Sequence, residues 1–231
     1  AAYSVTNRPD PALTPSVPGE ARSLCSRSCM ITPDMPMYPG SASPAIEPTG
    51  SLTRNGYRET RLTIVSHTGT HMDAPSHMLA RGSTLEVLPA SQFCGRAVVL
   101  DVSDLPPRSV IPADYLREQN GTIRSADFVL FYTGWERKWG TGAYYDDDFP
   151  VPDQEAAKYL VSCGLKGVGT DAFGVDRIAD GDFPALIAVA HGVADEVVEN
   201  PFHLGHVAAY FNARLHAQRI EDPERAFRQA A

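Results

Sequence analysis

The chain has 231 residues, of which 43% are hydrophobic and 21% charged, so it has enough apolar material for one well-buried globular domain. Its formal net charge is −8 with no Lys/Arg cluster, which disfavours nucleic acid and anionic lipid as partners and says little about a small neutral substrate. No apolar run approaches the ~18 residues that cross a bilayer, and Cys25, Cys29, Cys94 and Cys163 form no CxxC pair. Reduced thiols in a cytoplasmic protein are therefore expected. The chain starts at Ala1 without an apolar signal core, and a trimmed leader leaves an exported form open.

Residues 1–22, rich in Pro, Ser and Asn, read as an irregular arm ahead of a single domain over 23–231. The segment MITPDMPMYPGSASPAIEPTG at 30–50 reads as an ordered loop, because Met35, Met37, Tyr38 and Ile46 call for burial. Arg61–Ser66 alternates as a strand that delivers the chain to His67, and Arg96–Val102 is a short buried strand. A helix starts on Pro112, runs over Ala113–Gln119 and ends at Asn120-Gly121. Asp127–Thr133 is the next buried strand. Asp153 caps a helix through about Ser162, which Gly164 stops. Gly167–Thr170 reads as a strand, Phe183–His191 as a helix of small residues and Glu196–Glu199 as a last strand. Strands alternating with helices predict an α/β domain with a substantial sheet, and the β-heavy part before residue 96 argues against a plain doubly wound fold.

The stretch SHTGTHMDAPSH places His67, His71, Asp73 and His77 within eleven residues. Imidazole nitrogens and a carboxylate oxygen suit zinc or manganese, and three protein ligands with an open position make a catalytic centre. Gly69 and Pro75 argue against a helix here, so a strand end followed by a tight turn brings His67, His71 and Asp73 to one point. The plainer alternative is a polar loop whose histidines satisfy local backbone groups. A cluster this dense favours the metal.

The pattern H-x-G-T-H-x-D-x-P-x-H resembles the signature of the cyclase-like metal-dependent amidohydrolases, which include bacterial kynurenine formamidase and isatin hydrolase. MPMYPG at 35–40, GTDAFGVD at 169–176 and VVEN at 197–200 extend the resemblance over about residues 24–228. It implies a swivelling β/β/α domain whose central mixed sheet is flanked by helices. The implied reaction opens a formamide or cyclic amide at its C–N bond. The same attack on a lactone, or a non-catalytic metal- or ligand-binding role, are the alternatives. His67, His71 and Asp73 become ligands of one divalent ion, zinc or manganese, with Glu199 completing the set. His77 becomes the general acid/base, with an ordinary pKa of about 6.5 suited to moving protons near neutrality. Asp73 also has a catalytic part, holding the attacking water if one oxygen is free of the metal.

Tyr38 reads either as an aromatic that stacks on substrate or as a packing residue of its loop. Asp171 reads as an acceptor that orients a metal ligand, or, like Asp176, as a turn cap. Ala185 stands where relatives with two metals carry a histidine, which favours one ion. His191, His203 and His206 are the substitutes if the alignment shifts. Gly174 replaces a usual serine. The aromatic stretch 133–150 reads as a long loop lining the pocket or a subunit contact, with Asp146–Asp148 a solvated turn. A small-molecule substrate and a homodimer or homotetramer complete the expectations.

Overall fold

The computed structural model describes residues 31–180, together with Ala185, Val189 and the backbone of Val207–Tyr210. Strand β1 (Ala45–Gly50) and β2 (Glu59–Thr63) form an antiparallel pair around the short helix α1 (Leu52–Asn55), with Ile46 opposite Leu62. Then come β3 (His71–Asp73), β4 (Ala97–Asp101), β5 (Val110–Ile111), α2 (Ala113–Glu118), α3 (Asn120–Ile123) and β6 (Phe128–Tyr132). After β7 (Val151–Pro152), α4 (Gln154–Ser162) and β8 (Gly167–Thr170), strand β9 (Val207–Tyr210) closes the described sheet. That sheet has the order β3-β9-β8-β6-β4. Only β3 runs antiparallel to its neighbour; β4, β6, β8 and β9 are mutually parallel. The domain is thus mixed α/β.

Strand β6, FVLFY, explains why the sheet forms where it does. Four of its five residues are buried, as expected for a central parallel strand covered on both faces. Val129 and Phe131 of β6 join Leu116 of α2 and Leu160 of α4 in the main core. The β4, β6, α4 and β8 predictions match the observed elements within a residue or two at each end. Asp153 caps α4 by accepting from Ala156 N at 2.6 Å, and Gly164 beyond it takes a positive φ of 70°. Asp153→Ala is expected to cost about 1 kcal/mol, lowering the thermal midpoint by ~2–4 °C; circular dichroism melting checks it.

Other expectations need correction. The helix predicted over Ala113–Gln119 ends where expected, as α2, but a second short helix not foreseen, α3, follows at once from Asn120, with Ile123 fully buried. The predicted strand 61–66 lies two residues earlier, as β2, since its register is set by pairing with β1. Neither β1 nor β9 was anticipated; both owe their existence to a partner strand. Tyr38, for which burial was expected, is 44% exposed. Ala185 and Val189 are helical and buried, as the predicted helix over 183–191 requires. The rest of that helix, the strand 196–199 and the arm 1–22 lie outside the described residues. Among the described residues, no helix is long and apolar enough to cross a membrane.

Candidate metal centre and active site

Between β2 and β3 the chain makes a tight turn, held by the Thr68 hydroxyl donating to Val65 O at 2.7 Å. Gly69 sits at φ 67°, where a side chain would be strained, and its carbonyl accepts from His71 Nδ1 at 2.8 Å. In the neutral ring that bond places the proton of His71 on Nδ1 and makes Nε2 the acceptor. In β3, His71 and Asp73 are two residues apart and so share one face. His67 reaches the same point from the turn. His67 Nδ1 lies 2.9 Å from His71 Nε2 and 3.2 Å from Asp73 Oδ1, and His71 Nε2 lies 3.7 Å from Asp73 Oδ1.

These three donors fit a divalent cation. Ligands ~2.0–2.1 Å from a tetrahedral ion are separated by roughly 3.3 Å, which the three distances bracket. Without a cation, two acceptors, His71 Nε2 and Asp73 Oδ1, share the single proton of His67 Nδ1. Asp73 Oδ2 is buried and has no hydrogen-bond partner among the described residues, a costly state for a carboxylate that a cation or its water would relieve. Asp73 raises the pKa of His67 through their hydrogen bond, partly opposed by burial. His67, His71 and Asp73 are the cation-binding group found among the described residues.

Pro75 opens a 3-10 turn over Pro75–His77 that returns His77 toward this cluster. The His77 ring centre is 4.5 Å from that of His67. Burial lowers the His77 pKa below the ordinary imidazole value; Asp73 opposes this, and the His67 and His71 rings add to it. Burial thus favours the neutral ring, which can accept a proton.

The cluster forms one side of a cavity of about 330 Å³. The opposite wall is aromatic: Trp139, Tyr144 and Tyr145 come from the loop after β6, and Phe173 from the segment after β8. Tyr38 stands at the lip, with ring centres 6.0 Å from Tyr145 and 6.2 Å from Phe173. The expectation that 133–150 lines the pocket is thus met in its geometry. Its acidic run is solvent-exposed at Asp146 and half-exposed after it, as a solvated turn requires, but it is also tied down. Asp147 accepts from Ile178 N and Ala179 N, and Asp148 pairs with Arg108 at 2.7 Å.

Asp171 is fully buried and its carboxylate accepts from Thr133 and Glu136, so among the described residues its hydrogen bonds go to the aromatic loop. These contacts with the turn after β6 are of the capping kind that was the other reading of Asp171. Burial pushes its pKa up, against the pull of those donors. Asp176 accepts from Ala185 N at 2.9 Å, in keeping with the capping alternative. Ala185 is buried and in this contact offers only its backbone. Glu199, His191, His203 and His206 lie outside the described residues. Phe173 was missed, although its place just past the carboxyl end of a buried strand was a usable signal.

Gly174 also has a local reason. A Cβ there would sit 2.9 Å from the carbonyl oxygen of Asp176, so the serine usual in relatives does not fit this backbone. Gly174→Ser is expected to cost about 1–3 kcal/mol through forced backbone movement, read as a lower urea midpoint.

Known proteins resemble this chain in sequence and in fold. The Cyclase family model matches residues 26–177. A kynurenine formamidase of Salinibacter ruber is 33% identical over 171 residues, 71% of this chain and 75% of that protein. Isatin hydrolase A from Labrenzia aggregata, solved with benzyl benzoate, shares the fold with a TM-score of 0.63 at 22% identity, over 79% of this chain and 77% of that one. A structure described as a potential metal-dependent hydrolase with cyclase activity has a TM-score of 0.55 at 26% identity, over 83% and 82% of the two chains. A family match over more than half the chain and a relative above 30% identity lead to one conclusion: this chain belongs to the Cyclase family.

Proposed function

We propose that the chain is a metal-dependent hydrolase that opens the C–N bond of a formamide or cyclic amide, with His67, His71 and Asp73 holding one zinc or manganese ion. The convergence of His67 Nδ1, His71 Nε2 and Asp73 Oδ1, with the His71 tautomer set by Gly69 O, carries this reading. The kynurenine formamidase and isatin hydrolase relatives supply the bond type. Glu199 is the proposed fourth ligand, on the resemblance alone. The alanine at 185 supports one ion over two.

A divalent ion held there supplies Lewis acidity for the scissile carbonyl and lowers the pKa of water toward 7. The chain supplies the rest. Asp73 Oδ2, which has no partner among the described residues, can accept a hydrogen bond from the attacking water and hold it in line. Neutral His77 takes the proton from that water and returns it to the departing nitrogen. The aromatic wall receives the flat part of the substrate, with Tyr38 stacking at the lip, and excludes bulk water from the reacting carbonyl. A homodimer or homotetramer and a cytoplasmic location complete the proposal.

The test pairs metal analysis with turnover of N-formylkynurenine, isatin and an unsaturated lactone. Near one ion per chain and hydrolysis of either amide are expected. Hydrolysis of the lactone alone would move the reaction to C–O bonds, and a metal-free chain with no turnover would sink the proposal.

A further inference from the structure

The cavity has two sides that the fold supports separately. The ligand cluster rests on the turn after β2, on β3 and on the 3-10 turn at Pro75. The aromatic wall belongs to a satellite core of Trp135, Tyr144, Phe149, Val151 and Ala172, distinct from the main core. Asp171, at the end of β8, joins that wall to the sheet. Its Oδ1 accepts from Thr133 N at 2.7 Å and Thr133 Oγ1 at 2.6 Å, and its Oδ2 from Glu136 N at 3.3 Å. Its backbone carbonyl accepts from the Tyr144 hydroxyl at 3.3 Å, and Trp135 Nε1 donates to Tyr144 O at 2.8 Å, closing the loop on itself. A fully buried carboxylate is expensive unless donors surround it. Here the donors to its carboxylate come from the opening turn of one loop, 35 and 38 residues away in sequence. Two residues beyond Asp171, Phe173 meets Tyr144 and Tyr145 at 6.1 and 5.9 Å between ring centres.

We infer that Asp171 is a positioning residue for substrate: it fixes the aromatic wall formed by the loop after β6, and thereby sets affinity for a flat aromatic ligand without acting on the metal cluster. This rests on the cavity being the substrate site, as proposed above. Thr133 is its counterpart, because its hydroxyl both donates to Asp171 and accepts from Trp135 N at 3.2 Å.

Asp171→Asn replaces a carboxylate oxygen by an amide NH2, which meets at least one donor of the loop with another donor. Thr133→Val removes the hydroxyl at nearly constant shape, and Thr133→Ser restores it. With the metal-loaded protein and an amide that it hydrolyses, Asp171→Asn should raise KM roughly ten-fold or more. Its kcat should stay within ~3-fold and its bound metal unchanged. Thr133→Val should shift KM the same way and Thr133→Ser recover it. The double variant should do little more than Asp171→Asn alone, since both break one network. A fall in kcat or metal content at constant KM would overturn the inference, and so would a Thr133→Val variant identical to wild type. If Asp171→Asn does not fold, the Thr133 pair decides. Should the wild type hydrolyse no amide, the proposed function fails separately. Affinity for isatin, followed by tryptophan fluorescence, then replaces KM; unchanged affinity in the variants, or no binding by the wild type, overturns the inference.

Discussion

Asp73→Ala is expected to empty the metal centre and remove turnover, by at least about 10³-fold, since the ion's contribution to the barrier is several kcal/mol. Asp73 is the one anionic member of the cluster. Its Oδ1 lies 3.2 Å from His67 Nδ1 and 3.7 Å from His71 Nε2, and its Oδ2 is buried without a partner among the described residues. Removing it leaves the two imidazoles and the proposed Glu199 without the buried carboxylate that both imidazoles face, which weakens the coordination shell. It also removes the acceptor proposed to hold the attacking water. Mass spectrometry of the native protein should show metal lost from the variant. Chelation should lower the melting temperature of the wild type and not that of the variant, because an ion stabilises only the state that binds it. A variant that keeps a full complement of metal would place the centre elsewhere.

His77→Ala should behave differently: kcat should fall by about 10²–10⁴-fold, the usual contribution of a general acid/base, with metal content intact. His77 lies beside His67 but outside the three converging donors. The pH profile gives an independent reading. Burial lowers the His77 pKa from its ordinary 6.5, and the neighbouring imidazoles lower it further. A nearby cation would push the same way. As a base, His77 works only when neutral, so kcat/KM should hold through neutral pH and decline as pH falls through a pKa below 6.5. The residual activity of His77→Ala should lack that acidic limb. Loss of metal in this variant would instead make His77 a ligand.

The candidate ligands were legible because they are local. Gly69 and Pro75 announce a turn that gathers them, although that His71 and Asp73 share one face of a strand is seen only in β3 itself. No long-range information was needed to bring His67 to them. Likewise Asp153 and Gly164 delimit α4, and the apolar run of β6 marks a buried parallel strand. These are statements about neighbours in sequence, on which backbone preference and burial act directly.

The other half of the site was not legible in that way. β1 and β9 are strands because partners pair with them, and nothing in VAAY at 207–210 says that it will lie beside both β3 and β8. The residue type and its place after a strand left Asp171 open between orienting a metal ligand and capping a turn; only the tertiary structure shows its carboxylate turned to Thr133 and Glu136. Tyr38, Tyr145 and Phe173, from three distant segments, meet at one lip. The sequence by itself determined the donor set and the local turn that gathers it, since short loops cost little entropy to close. Which wall faces those donors was decided by the tertiary structure, because parallel strand order and the burial of one carboxylate join segments that local preferences leave independent.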